Sequence, residues 1–376
     1  MMAYTHQGST SFETPQGLNE LKVLPVIDYS NHPAYGLCFP KPTLAERAKA
    51  ITTLLPWIGV VMFKKVMMMD RIPALPNYSG YIAGGIAGRI RKIPQYLPYI
   101  FKGFGSAIVS AMKPKPTTPT EHEEYVKRFL EMGFGVDRFQ DDEMDKLRSL
   151  VAQAEVELRA KRAAIQGPRT FEDNVKFFNT GQDKALFDLL NHYMEKHGMI
   201  AAANAYVGRE TKVTHLLMQI NDPADSYFHG NFKDIGLEDT KCNYMHVDTS
   251  YDQVKCAIYL NEVDLNNGAF SFVLKSHYAR PVGFEGLLRR AMDRSNLTSF
   301  KPVYRKMFNA LPKALQKKCT FGADLLDGSA ESEAMLKNEY PLTSQVGNVG
   351  LFANNGVHRG GLTKTGERIV FFATIG

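Results

Sequence analysis

The chain changes character at Asn243. From there on, short runs rich in Val, Ile, Phe and Tyr alternate with turn residues, a rhythm that makes this half predominantly β. The run Tyr244-Met245-His246-Val247-Asp248 opens it. A histidine and an aspartate one residue apart in a β-forming run can both aim at one point where the chain bends just after the strand. That point is a candidate metal. A two-histidine, one-carboxylate facial triad for non-haem iron needs one more imidazole, and the tail supplies His358 in FANNGVHRGG, with Arg368 ten residues beyond it.

The strands expected in this half are a short one closing at His246, Val254 to Val263, Ala269 to Leu274 after the turn at Asn266-Asn267-Gly268, Val349 to Ala353, and Arg368 to Thr374. Residues 284–318 interrupt them with a cationic, helix-like insertion containing Arg289, Arg290, Arg294, Lys301 and Arg305. Before Asn243 the pattern is helical. Thr120 with Glu123 is expected to open a helix that ends at Gly133, and a short β piece follows at Phe134 to Val136. The segment from Asp141 has acids first and bases last, matching the helix dipole, with Met144, Leu147, Leu150 and Val151 assigned to one face. Another helix is expected over 180–200 and a strand over Lys212 to Ile220. Helices first and then many short strands give a mainly β protein with a helical buttress.

Residues 1–120 differ from the rest. Residues 1–40 read as irregular, and a helix begins at about Thr43, with Glu46 in the capping-box position. Of the net charge of +6, residues 41–116 carry twelve Lys or Arg against two acids, a surplus of ten that leaves the remainder at −4. Such a segment suits either an accessory packing layer or peripheral membrane contact. Nucleic acid is not expected, because no DNA- or RNA-binding signature accompanies the charge. The run Lys113 to Thr120 (KPKPTTPT) reads as a linker, so the domains are taken as a basic, mostly helical extension over 1–120 and a catalytic domain over 121–376 with an insertion at about 284–345.

The start of the chain has no signal-peptide pattern, and the apolar stretch Leu54 to Phe63 falls short of the ~20 residues needed to span a bilayer. Cys38, Cys242, Cys256 and Cys319 form no CxxC pair and read as free thiols in a reducing compartment. The expected location is intracellular, in the cytoplasm or an organelle stroma, with membrane-peripheral attachment as a variant.

Iron(II) held by two imidazoles and one carboxylate keeps adjacent positions open, and two of them suit a chelating 2-oxo acid. The far carboxylate of a dicarboxylic 2-oxo acid calls for a guanidinium, since Arg offers paired donors that Lys cannot. A glycine turn at Gly360-Gly361, followed by an antiparallel return, would bring Arg368 back beside the metal.

In these motifs the chain resembles the phytanoyl-CoA dioxygenase-like family of iron(II)/2-oxoglutarate-dependent oxygenases, over roughly Glu121 to Gly376. The opening FLEMGFGVDRFQDDEMDKLR (Phe129 to Arg148), then His246 and Asp248, then NNGAFSFVLKSH ending at His277, then His358 with Arg368, follow the family's order. Leu274 and Lys275 stand where the family has Pro-Gly, and Gly360 stands where a hydroxyl residue is usual.

The resemblance implies a double-stranded β-helix (jelly-roll, cupin-like) core with iron(II) on His246, Asp248 and His358. Arg368 and Gln219 would bind the co-substrate 2-oxoglutarate. With O2, the expected reaction oxidises a C–H bond of a small anionic substrate by hydroxylation, cyclisation or desaturation, while 2-oxoglutarate becomes succinate and CO2. His277 reads as a loop-ordering core residue rather than a ligand. The alternative from another class is a catalytically silent β-barrel binding module recruited to an acidic partner or a membrane surface.

Overall fold

A computed structural model describes residues 42–48, 52, 116–167, 169–224, 241–242, 245–246, 248, 253–279 and 327–376. Most of the basic 41–116 segment and the 284–318 insertion lie outside the described residues. Of the N-terminal extension, residues 44–48 are helical. Their start is the expected box, with Thr43 N donating to Glu46 Oε2 at 3.0 Å and Glu46 N donating to Thr43 Oγ1 at 3.2 Å.

The helices lead. α1 (Glu123–Met132) ends at Gly133, whose φ of 75° is the left-handed cap that glycine adopts without a Cβ penalty. The expected Thr120–Glu123 box is not formed: Thr120 lies in a 3-10 turn, and no side chain caps α1. β1 (Phe134–Asp137) follows. α2 (Asp141–Ala163) is capped by Gln140, whose N–H donates to Glu143 Oε2 at 2.9 Å. Its buried stripe is Met144, Leu147, Val151, Ala154 and Leu158 at three- and four-residue steps, which leaves Leu150 46% exposed at the edge of the face it was assigned to.

After β2 (Val175–Phe178), the helix expected over 180–200 is two helices, α3 (Lys184–Lys196) and α4 (Met199–Val207). Gly198 at φ 72° breaks the continuous ladder between them. β3 (Val213–Asn221), β4 (Val254–Tyr259), β5 (Phe270–Val273), α5 (Ala330–Lys337), β6 (Glu339–Pro341), β7 (Val349–Ala353), β8 (His358–Gly360) and β9 (Arg368–Ile375) complete the order.

The strands form two antiparallel sheets, a six-stranded one ordered β1-β7-β4-β9-β3-β2 and a three-stranded one ordered β6-β5-β8. β6 lies within the range read as insertion, yet it pairs with β5 as part of the small sheet. Side chains alternate along each strand of the large sheet. Leu216, Met218, Ile220, Val254, Cys256, Ile258, Leu351, Phe371 and Ala373 bury into one cluster with α1 to α4. Ala257, Tyr259, Phe352 and Val370 face the other way, into a second cluster with Phe270 and Phe272 of the small sheet. The result is three layers: helices, large sheet, small sheet.

Phe134 stacks on Phe272 with ring centroids 5.5 Å apart, and Tyr259 bridges the sheets by accepting from Phe270 N and donating to Leu342 O, both at 2.8 Å. Burying one such phenylalanine is worth about 1.5–3 kcal/mol. No described helix is long and apolar enough to cross a membrane. Cys242 and Cys256 are buried and free; burial pushes the Cys242 thiol up to about 12.

Candidate metal centre

The two histidines meet because they are direct cross-strand partners. His246 N donates to His358 O at 3.0 Å and His358 N donates to His246 O at 2.9 Å, a reciprocal pair that sets their rings side by side at 4.5 Å between centroids. Asp248, two residues on, is tied to the same segment by its N–H, which donates to Asn354 O at 2.8 Å. Its carboxylate turns to both rings: Oδ1 lies 4.0 Å from His246 Nε2, and Oδ2 lies 3.6 Å from His358 Nε2. One ligand atom from each of the three falls within 4.8 Å of the others. The cluster needs only a small contraction to reach the ligand spacing of a first-row dication.

The tautomer of His358 follows from its other nitrogen. Nδ1 is 2.9 Å from Gly356 O, and a carbonyl only accepts, so Nδ1 carries the proton and Nε2 is the nitrogen left to ligate a metal. Burial alone would raise the Asp248 carboxyl. The Lys255 ammonium beside it and the rings of His358 and His246 overcome that penalty and hold the group well below the usual carboxylate range. Asp248 is thus ionised, as a metal ligand must be.

Arg368 is 1% exposed. Its guanidinium donates to Gly268 O and, at 2.7 Å, to Asn221 Oδ1, while Nε has no hydrogen-bond partner among the described residues. Among the described residues no carboxylate pairs with it; Glu367 is taken instead by Arg159, in a bidentate contact of 2.6 and 2.9 Å. The opposite strand end is held by Arg162 Nη2, which donates to Asp222 Oδ2 at 2.7 Å.

The route to this place differs from the expected glycine hairpin. β8 belongs to the small sheet and β9 to the large one, so the chain crosses between sheets after His358. The guanidinium then packs over Gly360, where an added Cβ would stand 3.1 Å from Nη2 and 3.2 Å from Nη1. A side chain at 360 would press against the guanidinium.

Gln219 is buried on the same face of the large sheet as Asn221, two positions along β3 and directly opposite Val370. His277 stands apart from the cluster: its Nε2 lies 3.0 Å from Leu130 O, and its ring packs so closely on Gly133 that a Cβ there would sit 2.3 Å from Nδ1. Lys275 takes φ 63°, the left-handed conformation in which the resemblance expects glycine, and is the only described non-glycine with positive φ.

Lys255 was not foreseen. Its Nζ pairs with Asp248 Oδ2 from the start of β4. A lysine interrupting the apolar run Val254 to Leu260 was the available signal.

Comparison with models of known protein families finds no match, nor does comparison with curated proteins. Solved structures do match in part. AviO1 from Streptomyces viridochromogenes Tue57 is 13% identical over 69% of this chain and 96% of its own, with a TM-score of 0.37. The non-heme alpha ketoglutarate dependent epimerase SnoN from nogalamycin biosynthesis is 12% identical over 68% of this chain and 83% of its own, TM-score 0.37. EctD from S. alaskensis, solved with 2-oxoglutarate and 5-hydroxyectoine, is 15% identical over 70% of this chain and 78% of its own, again at 0.37. Likeness at this level leaves the reading of the site to its own geometry.

Proposed function

We propose that residues 121–376 form an iron(II)/2-oxoglutarate-dependent dioxygenase with a double-stranded β-helix core, acting on a small anionic organic substrate. The observation that carries this reading is the convergence of His246, Asp248 and His358 within 4.8 Å. A buried guanidinium with no carboxylate partner among the described residues stands at the start of β9.

The donor set fits iron(II). Two imidazole nitrogens and one carboxylate oxygen form the borderline-hard set used for non-haem iron, and they leave coordination positions open. Iron(II) held there with 2-oxoglutarate and O2 would supply the oxidant for a substrate C–H bond, with 2-oxoglutarate converted to succinate and CO2 and the second oxygen atom ending in a hydroxyl product, or in water where the outcome is cyclisation or desaturation.

The chain's own residues do the rest. The Gly356 carbonyl fixes His358 with Nε2 free to ligate, and the His246–His358 backbone pair holds both rings at constant separation. Arg368 answers the distal carboxylate of 2-oxoglutarate. A buried cation without a counter-ion costs several kcal/mol, and a dicarboxylate would offset that cost. Gly268 O and Asn221 Oδ1 orient the guanidinium before ligand arrives, and Gln219 adds a polar group on the same face. The aromatic cluster of Phe270, Phe352 and His358 excludes water from the histidine side.

Anaerobic addition of iron(II) and 2-oxoglutarate to the full chain should produce a weak visible charge-transfer band. Asp248→Ala should lose the band and the conversion of 2-oxoglutarate to succinate. A variant that still made succinate at the parent rate would show the triad to be misassigned, and a wild-type chain that took up no metal would favour the binding-module alternative.

A further inference from the structure

Lys255 sits where alternation sends side chains towards the small sheet. Its neighbours on that face are Ala257 and Tyr259 along β4, Phe352 across on β7, and Thr374 across on β9. Lys255 is half-buried there, and its ion-pair partner among the described residues is the Asp248 carboxylate. In a loaded site a dication ligated by Asp248 takes up part of the same negative charge, which leaves the ammonium with charge and N–H donors for a further anion.

Formal charges show the consequence. A dication, the Asp248 carboxylate and the cations Arg368 and Lys255 leave three positive charges, and dianionic 2-oxoglutarate cancels two of them. Without Lys255 the loaded centre would be neutral; with it, one positive charge is left over. The same face of the large sheet supplies an apolar floor next to that charge. Phe372 follows Thr374 inward along β9, and Leu217 stands directly opposite Phe372 on β3. Both are half-buried, whereas Val370 and Tyr259 deeper on the face are closed off at 1% exposure. Beyond Leu217, its cross-strand partner Phe177 is 63% exposed.

Resting on the function proposed above, we infer that Lys255 is the specificity-determining residue for the organic substrate, selecting a monoanion, a carboxylate, attached to an apolar body that lies along Phe372 and Leu217. The single surplus charge favours a carboxylate over a phosphate ester, which would bring two. Asp248 holds Lys255 in place, and once a metal shares that carboxylate the ammonium has donors and charge left for the substrate.

The test uses the full chain loaded with Ni(II), as a redox-inert stand-in, and 2-oxoglutarate, with calorimetric titration of phenylacetate, phenylacetamide and phenyl phosphate. Phenylacetate should bind about tenfold or more tighter than phenylacetamide, the value of one charge-assisted contact, and tighter than phenyl phosphate. In Lys255→Met the preference for carboxylate over amide should vanish, while Ni(II) binds at least as tightly as in the parent because a competing cation is gone; Lys255→Arg should restore the preference. A preference that survives Lys255→Met, equal binding of carboxylate and amide by the parent, tighter binding of the phosphate, or no binding of any probe would each overturn the inference. Failure of the parent chain to take up Ni(II) and 2-oxoglutarate is a different result: it overturns the metal-centre assignment, and this inference with it.

Discussion

His197 sits where three elements join, and its protonation should be readable in the stability of the whole domain. It caps the C-terminal end of α3, with Nδ1 2.9 Å from Asp137 Oδ2 at the end of β1 and Nε2 2.9 Å from Glu143 Oε2 in the first turn of α2. Both ring nitrogens face carboxylates, so the ring is best satisfied as imidazolium. Burial by itself would lower its pKa, but the Asp137 and Glu143 carboxylates win and raise it above the ordinary value.

A raised folded pKa fixes the sign. The stabilisation is fully present below the ordinary histidine range, near pH 6.5, and is lost as pH rises through the folded value. Charge-assisted hydrogen bonds contribute about 1.5–3 kcal/mol each. The Glu143 contact is buried, whereas Asp137 is about a third exposed, so its share must be discounted for solvent screening. About 2 kcal/mol for the pair is the resulting estimate, or roughly 4–8 °C in Tm for a domain of this size. Thermal unfolding of the parent and of His197→Gln at pH 6 and pH 9 measures it: the gap between them should narrow by most of that amount at the higher pH. A gap that is the same at both pH values would refute the imidazolium bridge.

Two further substitutions bear on the site and its supports. Gly360→Ala places a methyl group 3.1–3.2 Å from the Arg368 guanidinium, so the guanidinium must shift by a few tenths of an ångström; 2-oxoglutarate affinity should fall about tenfold, roughly half of a charge-assisted bond's value, with Ni(II) affinity unchanged in calorimetry. At Lys275, whose φ is 63°, glycine should be tolerated, while Lys275→Val should be less stable than Lys275→Gly by roughly 1–2 kcal/mol in denaturant unfolding, because a β-branched residue is strained in the left-handed region.

Local chemistry was legible in the residues themselves. The helix dipole of α2, the β piece at Phe134 and the strand ending near Ile220 each depend on spacing within a few residues, which a sequence displays directly. Errors occurred where a neighbour decided. Leu150 has the right polarity for the core, but α2 turns it to the edge of its buried face. Gly198 ends one helix and starts another because a left-handed residue is needed there, and glycine in an apolar helical run does not announce that.

His246 and Asp248 are two residues apart, so their shared aim depends only on an extended backbone. Their union with His358, 110 or more positions away, depends on a cross-strand register that no local pattern encodes. Arg368 makes the same point: sequence supplied a guanidinium ten residues after a histidine, and a hairpin seemed the natural link. Tertiary structure instead sends β8 and β9 to different sheets and buries the guanidinium over Gly360. Lys255 is the clearest case, since a lone lysine on a strand has no meaning until alternation and pairing set it against the Asp248 carboxylate. The sequence by itself determined which groups could do chemistry, because side-chain identity is local. Only the packing of two sheets decided which of them meet, because register and sheet partnership are settled by burial across the whole domain.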